Sequence, residues 1–491
     1  MYKRMTWISL ALILCIALFA TGCSKAADTK ETQSPSNAAS GSTTPAASEQ
    51  SSGEAANYEN GLPKNEEVTL KVGLLESGYG REWFDYAVKL FTDKYPNVKF
   101  DITASPKIGD LISTKASAGN DDDMFDLFYG ATWTEYVNAN KLEPVTDIFE
   151  MSPDDAPGQK LNDLIVPGFN DPEKYYKDNA WVFPIANYVG GMFFDQKLFD
   201  ENGWNKNPKT YDEFIQLCEA IMSKGIDPIV YAGLYNYAQF AFDTKIFEIA
   251  DENGNKQFRN DFEYFNGPQN TSPENIEVYK RLYDMGKEGY ISKKSVGMNH
   301  TQSQMLVLQH KAAMVPSGDW IENEMKESAP DDFQWGYMAV PFTNNPNGPI
   351  YMTNGLSYSF EIWAAKPELN KKWAKQFLLS LMSNEVQQEL VEKGGALPLR
   401  KDYLDVPTRA DNMKPLQKSI ATYLKENQVV LELKNRKLEL THADYAASLK
   451  VIVDNMALVL TGQEEPEPIL QQAEKLLQNA ISSDKKAQNK E

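Results

Sequence analysis

From Val68 the chain alternates between two hydrophobic periods. Val68-Thr69-Leu70-Lys71-Val72-Gly73-Leu74-Leu75 reads as a strand, and Phe84, Ala87, Leu90 and Phe91 then fall at helical spacing. Tyr95-Pro96-Asn97 stops that helix, because a residue before proline is pushed out of the helical region. Val98, Phe100 and Ile102 alternate as a second strand, a helix runs on to Gly119, and the short apolar run Met124 to Tyr129 supplies a third strand. The order β-α-β-α-β is that of a parallel sheet with covering helices.

The alternation restarts further along. Thr210 and Glu213 form a capping box before a helix expected to reach Lys224, and Pro228 to Tyr231 returns as a strand. Ser272-Pro273 opens another helix as N-cap followed by proline. Lys311 to Pro316, Trp335 to Phe342 and Leu356 to Ala364 are strand-like, and after Gly395 the chain is mostly helical, with Gly462 closing one helix and Pro468 near the start of the last. No short-period repeat is present. Two α/β lobes joined by crossing strands account for both the length of 491 residues and the restarted pattern.

What precedes Val68 is different. Lys3 and Arg4, the apolar run Ile8 to Ala20 and then Thr21-Gly22-Cys23 read as an export signal whose apolar part is too short to span a bilayer. Residues 24–65 are crowded with Ser, Ala, Thr, Gly, Pro and Glu, a composition that predicts a flexible tether. The net charge of −20 repels nucleic acid and anionic headgroups and makes a neutral ligand the default. Of three cysteines, Cys15 lies in the leader, and Cys218 falls on an apolar helix face with Phe214, Leu217 and Ile221, where a buried thiol is expected.

Several stretches then resemble one known family, the family 1 extracellular solute-binding proteins of carbohydrate ABC importers. Phe91 to Val98 is similar to its F-x-x-K-Y-P-N-V helix exit, Phe125 to Phe128 to its third strand, and Trp181-Val182-Phe183-Pro184 stands where the family writes Y-G-L-P. Gly191 to Phe199 resembles Y-N-K-x-L-F with Asp195 in the Asn position, and Pro208 to Phe214 is close to P-K-T-W-D-E-F. Lys311 to Met314 with Ser317-Gly318-Asp319-Trp320 resembles K-A-A-M and G-S-W, with Asp319 replacing Ser, and Ala374 to Gln387 resembles A-W-x-F-L followed by S-P-E-x-Q. Ala20-Thr21-Gly22-Cys23 likewise resembles a bacterial lipobox, with Ala20 where Leu is usual.

The resemblance implies an α/β, bilobal, periplasmic-binding-protein-like fold. It implies cleavage after residue 22, a diacylglyceryl-modified Cys23 and a tether over 23–65. One lobe is expected over 66–184 with 355–406 and the other over 185–354 with 407–491, crossing near Pro184 to Tyr188, near Met352 to Gly355 and near Pro407. It also implies a sugar held between the lobes, delivery to ABC importer membrane subunits at the outer face of the cytoplasmic membrane, a monomer, and no cofactor. Gly78-Tyr79-Gly80 and Gly318 to Met325 look most like receptors for N-acetylglucosamine or chito-oligosaccharides.

Ligands in open α/β sheets sit beyond the carboxyl ends of strands, which directs attention to the loops after Leu75, Phe128, Tyr231 and Pro316. A sugar ring has an apolar C–H face and a hydroxyl edge, so its site needs flat aromatic surface beside Asp, Glu and Asn. Those loops supply Glu76 and Tyr79, Trp133, Tyr235 and Tyr237, and Asp319 and Trp320, with Asn187 and Tyr188 at the first crossing. The competing reading makes Trp133 and Tyr188 core residues, Asp319 a helix cap and Glu76 a solvated acid.

No phosphate-binding, dinucleotide, nucleophile-elbow or H-E-x-x-H motif occurs, His300, His310 and His442 lack metal spacing, and Asp121-Asp122-Asp123 runs straight into Met124-Phe125, so neither catalytic residues nor a metal site are expected. The enzyme-class alternative is a surface glycoside hydrolase using a pair such as Asp319 and Glu322. A third possibility is an envelope adhesion or chaperone lipoprotein.

Overall fold

The computed structural model describes residues 56–488 apart from 77, 130–132, 167–169, 171–175, 358 and 433, and gives no side chain for 133, 356, 357, 404, 487 and 488. Ten strands are named in chain order: β1 (Val68–Leu75), β2 (Val98–Ser105), β3 (Leu127–Tyr129), β4 (Ala186–Asp195), β5 (Asp227–Ile229), β6 (Ala312–Gly318), β7 (Trp335–Met338), β8 (Ile350–Ser357), β9 (Phe360–Ile362) and β10 (Val429–Glu432).

The first five-element pattern folds as its periods dictate. β1 runs parallel to β2 and to β3, giving the order β2-β1-β3-β9 with β9 antiparallel at the edge. On one face the helices Glu82–Lys94 and Glu368–Ser380 bury Phe84, Phe91, Trp373 and Phe377, whose rings meet edge to face at 5.2–6.1 Å. On the other, the helix Ile108–Ala118 closes over Met124, Phe125, Phe128 and Trp363. This is the first lobe.

The second lobe forms on a mixed sheet of order β10-β8-β4-β6-β5. Its centre is β4, which was not legible as a strand from period alone, since all but one of its ten residues are buried and its two faces do not alternate in polarity. One edge of β4 pairs antiparallel with β6, and the other is shared between β8 over Ala186–Val189 and β7 over Met192–Asp195. Cys218 is fully buried in this lobe's core, where burial pushes its thiol far above the ordinary range.

Three expectations need correction. The single strand expected over Leu356 to Ala364 is divided between the two sheets, β8 ending at Ser357 and β9 starting at Phe360, so this stretch is itself a crossing. The helix from Thr210 ends at Met222, and its capping box is displaced by one residue: Thr210 accepts from the Glu213 N–H, while the Glu213 carboxylate takes the N–H of Lys209 at 2.7 Å. The expected tether, in its described part, is docked from residue 56. Tyr58 packs edge-on against Tyr95 and Trp373 and donates to Asn97 Oδ1 at 2.8 Å, because one aromatic ring finds a ready-made aromatic cluster. Cys23 and residues 24–55 lie outside the described residues, among which no helix is long and apolar enough to cross a membrane.

The helices Pro273–Lys287 and Ala443–Leu460 touch through bare backbone: a Cβ on Gly286 would collide with Leu460 O, Thr461 and Gly462 N, all of them backbone that cannot swing aside. Gly286→Ala is therefore expected to destabilise the fold by about 1–3 kcal/mol, read as a lowered midpoint of urea unfolding; an unchanged midpoint would mean that the two helices separate freely.

Candidate functional site

The site is built on glycines at the centre of the second sheet. Gly190 of β4 faces Gly318 of β6 across an antiparallel rung, and Gly355 of β8 faces Tyr188. A side chain at any of the three would collide with something already there: the Phe240 carbonyl at Gly190, the Trp320 ring at Gly318, the Tyr188 ring at Gly355. Bare backbone thus lets large rings lie directly on the sheet.

Those rings form one contiguous row. Trp320, half-buried just beyond β6, meets Phe240 at 5.2 Å, Tyr188 at 5.7 Å and Tyr79 at 6.3 Å, each edge to face. Phe240 touches Tyr188 at 5.8 Å and Tyr237 at 5.0 Å. Tyr237 stacks on His300 at 5.8 Å with 18° between planes, and Tyr235, 55% exposed, ends the row 6.5 Å from Tyr237. The row leads from solvent on the second lobe to Tyr79, which is buried in the first lobe's core.

Polar contacts cross between the lobes at the buried end. Tyr79 Oη donates to Asp319 Oδ1 at 2.9 Å, Asn323 Nδ2 donates to Gly78 O at 2.7 Å, and Lys414 Nζ donates to Asn323 Oδ1 at 3.1 Å and to Lys393 O at 3.0 Å. Asp319 is only 1% exposed, and burial pushes its carboxyl up to about 8, although Tyr79 and the N–H groups of Asp319, Leu397 and Val189 pull the other way. None of those N–H groups closes a hydrogen bond on Oδ2, which has no partner among the described residues. Burial likewise pushes the Tyr188 hydroxyl up to about 12, with Asp243, Asp319 and Tyr129 adding to it.

Other buried polar atoms around the crossing lack partners among the described residues: Asn187 Oδ1 on β4, Ser317 Oγ on β6, Asn354 Oδ1 on β8 and Asn236 Oδ1 beside Tyr235. Such atoms are uncommon in folded proteins, and a cluster of them needs a reason. Asn187, Ser317 and Asn354 alternate along their strands with Tyr188, Gly318 and Gly355, and so project from the face of the sheet opposite the rings.

Eight of the nine residues singled out from sequence can be located. Trp320, Tyr188, Tyr79, Tyr235 and Tyr237 come together as rings, Asp319 accepts from Tyr79 beside them, and Asn187 projects from the opposite face of the sheet to Tyr188. Glu76 stands exposed at the end of β1, its backbone N–H donating to Ser105 O. The backbone of Trp133 opens the helix Trp133–Asn138, while its side chain lies outside the described residues, as do Ala131 and Thr132. Sequence reasoning passed over Phe240, Asn323, Asn354 and Lys414. Only Phe240 left a trace, standing three residues after Tyr237 on one helical turn. Glu322, the other half of the acid pair, accepts the Leu416 N–H at 3.3 Å. Among the described residues no group of three or more His, Cys, Asp or Glu could hold a metal ion.

Comparison with known proteins identifies the family and the fold. The diacetylchitobiose binding protein NgcE of Streptomyces coelicolor is 28% identical over 284 residues, which is 57% of this chain and 59% of that relative's own length. The multiple sugar-binding protein of Streptococcus mutans is 24% identical over 67% of this chain and 74% of its own. Among solved structures, a chitin oligosaccharide binding protein superposes with a TM-score of 0.65 at 20% identity, covering 85% of this chain and 99% of that one, and so shares the bilobal fold. Residues 77–388, more than half of the chain, match the bacterial extracellular solute-binding proteins, and the protein belongs to that family.

Proposed function

We propose that this protein is a receptor that binds a sugar or oligosaccharide between its lobes and hands it to the membrane subunits of an ABC importer. The observation that carries the reading is the aromatic row from Tyr235 to Tyr79, which spans both lobes and ends beside the buried carboxyl of Asp319. Pyranose C–H faces stack on Trp320 and Tyr188, and hydroxyls pair with Asp319. Ligand that touches both lobes favours the closed arrangement by its differential affinity, and closure turns on the crossings near Pro184 to Tyr188, between β8 and β9, and near Pro407. The named relatives bind diacetylchitobiose and multiple sugars, which makes β-linked N-acetylglucosamine oligomers the first ligands to try. The protein works as a monomer on the outer face of the cytoplasmic membrane, held there by acyl chains on Cys23.

Ligand-dependent melting against diacetylchitobiose, maltose, raffinose and stachyose tests binding, since a ligand of the native state raises the melting temperature. Trp320→Ala is expected to weaken the ligand so found by about 1 kcal/mol or more, roughly fivefold in Kd, through lost stacking. Saturating ligand should also shrink the radius of gyration in small-angle scattering. Wild-type affinity in the variant removes Trp320 from the site; turnover of any of these glycans points to a hydrolase instead.

The buried Asp319 predicts a pH dependence. Its carboxyl holds a proton up to about 8 in the fold against 3.8 when unfolded, so between those values the native state binds more protons than the unfolded chain. Its contribution to stability is complete below the lower value and is lost as pH rises through the higher one. Asp319→Asn should therefore gain on the wild type as pH rises from about 5 to about 9 in denaturant titrations. A constant difference would mean that the carboxyl ionises freely. For the anchor, wild-type cells should incorporate labelled palmitate into this protein and Cys23→Ser cells should not, the variant appearing in the medium; labelling of both would place the lipid elsewhere.

A further inference from the structure

A second contact joins the lobes, away from the one between Tyr79 and Asp319. Beyond β10, Leu438 and Leu440 pack with Phe265, Leu477 and Ile481 of the second lobe, while Glu439 between them is exposed. The chain is pinned on both sides of that acid. The Arg436 guanidinium lies 3.5 Å from the Phe262 ring centroid and 4.1 Å from that of Phe265, and it donates to Gln269 Oε1 at 2.6 Å. The N–H groups of Thr441 and His442 donate to Asp484 Oδ2 at 2.7 and 3.1 Å. Held in this way, Glu439 reaches the first lobe: its carboxylate accepts from Asn138 Nδ2 at 3.3 Å and from the Tyr176 hydroxyl. Tyr176 packs on the first lobe's cluster of Met124, Phe125, Phe128 and Trp363. The turn that presents Tyr176 is strained. Lys177 and Asp178 both take left-handed φ, +47° and +62°, between the paired residues Tyr176 and Asn179, where Asn-Gly is the usual choice. Strain of this kind persists only where surrounding contacts hold it, and it gathers at clamps and switches.

Where this contact lies relative to the crossings decides what it does. β4 begins and β8 ends at the crossings, and the two are neighbours in the order β10-β8-β4-β6-β5. Asp319 follows β6 on one side of that pair, and Glu439 follows β10 on the other. The first lobe has the same arrangement. Tyr79 follows β1, whereas Asn138 runs into Leu142, which with Phe183 pairs along the edge of Phe360–Trp363 turned away from β3 and β1. The Tyr79–Asp319 bond and the Glu439 contact therefore flank the strands that join the lobes. A rotation about those strands that draws the lobes together on the side of Asp319 and Trp320 parts them on the side of Glu439.

We infer that Glu439, with Tyr176 and Asn138, forms a counter-contact that opposes closure, so that drawing the lobes together on a ligand must break it. The inference rests on the proposed carbohydrate reading for what closes the lobes. Glu439 touches no ligand; it is a positioning residue whose hydrogen bonds are subtracted from the ligand's affinity. Removing them makes the ligand bind more tightly, which the loss of a merely structural contact does not.

The test is calorimetric titration of the full chain, as wild type, Glu439→Ala, Tyr176→Phe and the double variant, with diacetylchitobiose, maltose, raffinose and stachyose, alongside small-angle scattering of the ligand-free proteins. Glu439→Ala is expected to bind about two- to fivefold more tightly, the range for an exposed charged contact, and to show a smaller ligand-free radius of gyration. Tyr176→Phe should move both in the same direction, and the double variant should bind no more tightly than Glu439→Ala, since both changes remove one contact. Unchanged affinity in Glu439→Ala overturns the inference. Weaker binding also overturns it, and places the contact in the closed form. Should Glu439→Ala not fold, Tyr176→Phe decides by the same readings. If the wild type binds none of the four sugars, the carbohydrate reading fails and the radius decides the counter-contact alone: a smaller one in Glu439→Ala upholds it, and an equal one overturns it.

Discussion

The molecule depends on close approach between aromatic rings and bare β-strand backbone at the point where its two sheets meet. Gly190, Gly318 and Gly355 sit on three neighbouring strands, and each clears room for a ring or for the backbone that carries one. Without those gaps Trp320 and Tyr188 would be lifted off the sheet, Phe240 would lose its seat, and the link from the second lobe to Tyr79 would be broken. Each edge-to-face pair in the row contributes about 0.5–1.5 kcal/mol beyond its buried area. The rings meet at steep angles, so the row is interlocked and rigid, with each ring held by the edge of its neighbour.

Against that rigidity stand groups that the fold leaves unsatisfied. Asp319 Oδ2, Asn187 Oδ1, Asn354 Oδ1 and both oxygens of Glu361 are buried without partners among the described residues, each at a cost of about 1–3 kcal/mol when nothing answers it. The large cores of the two lobes can carry this load. The hydrogen bonds that join the halves at this point come from one phenol, one amide and one ammonium: Tyr79 to Asp319, Asn323 to Gly78 O and Lys414 to Lys393 O. A hydroxyl-rich ligand that supplied partners on both sides would add to these contacts, not replace them.

Much of the first lobe was legible because its strands and helices announce themselves locally. The alternation in β2, the spacing of Phe84, Ala87 and Phe91, and the proline stop at Pro96 each depend on neighbours within a few residues. Ser272-Pro273 was equally plain, and its helix begins there. The ring residues of the site were legible as a class, since aromatic and amide side chains crowded into loops after strands have few other uses. β4 was not, because a strand buried on both faces has no alternation to read, and Tyr58 was not, because a tyrosine in a polar stretch looks like tether until its partners Tyr95 and Trp373 are in place.

The sequence by itself determined the α/β order, the restart that makes two lobes, and the residue types that suit a neutral, hydroxyl-bearing ligand, because all three rest on local periodicity and side-chain chemistry. Only the tertiary structure decided that residues 350–362 are divided between two sheets, that Phe240 completes the aromatic row, and that Asp319 and Glu361 are buried acids with oxygens left unpaired. Those outcomes depend on contacts between residues far apart in the chain, and on what is missing around an atom, and neither is written in the neighbours of any single residue.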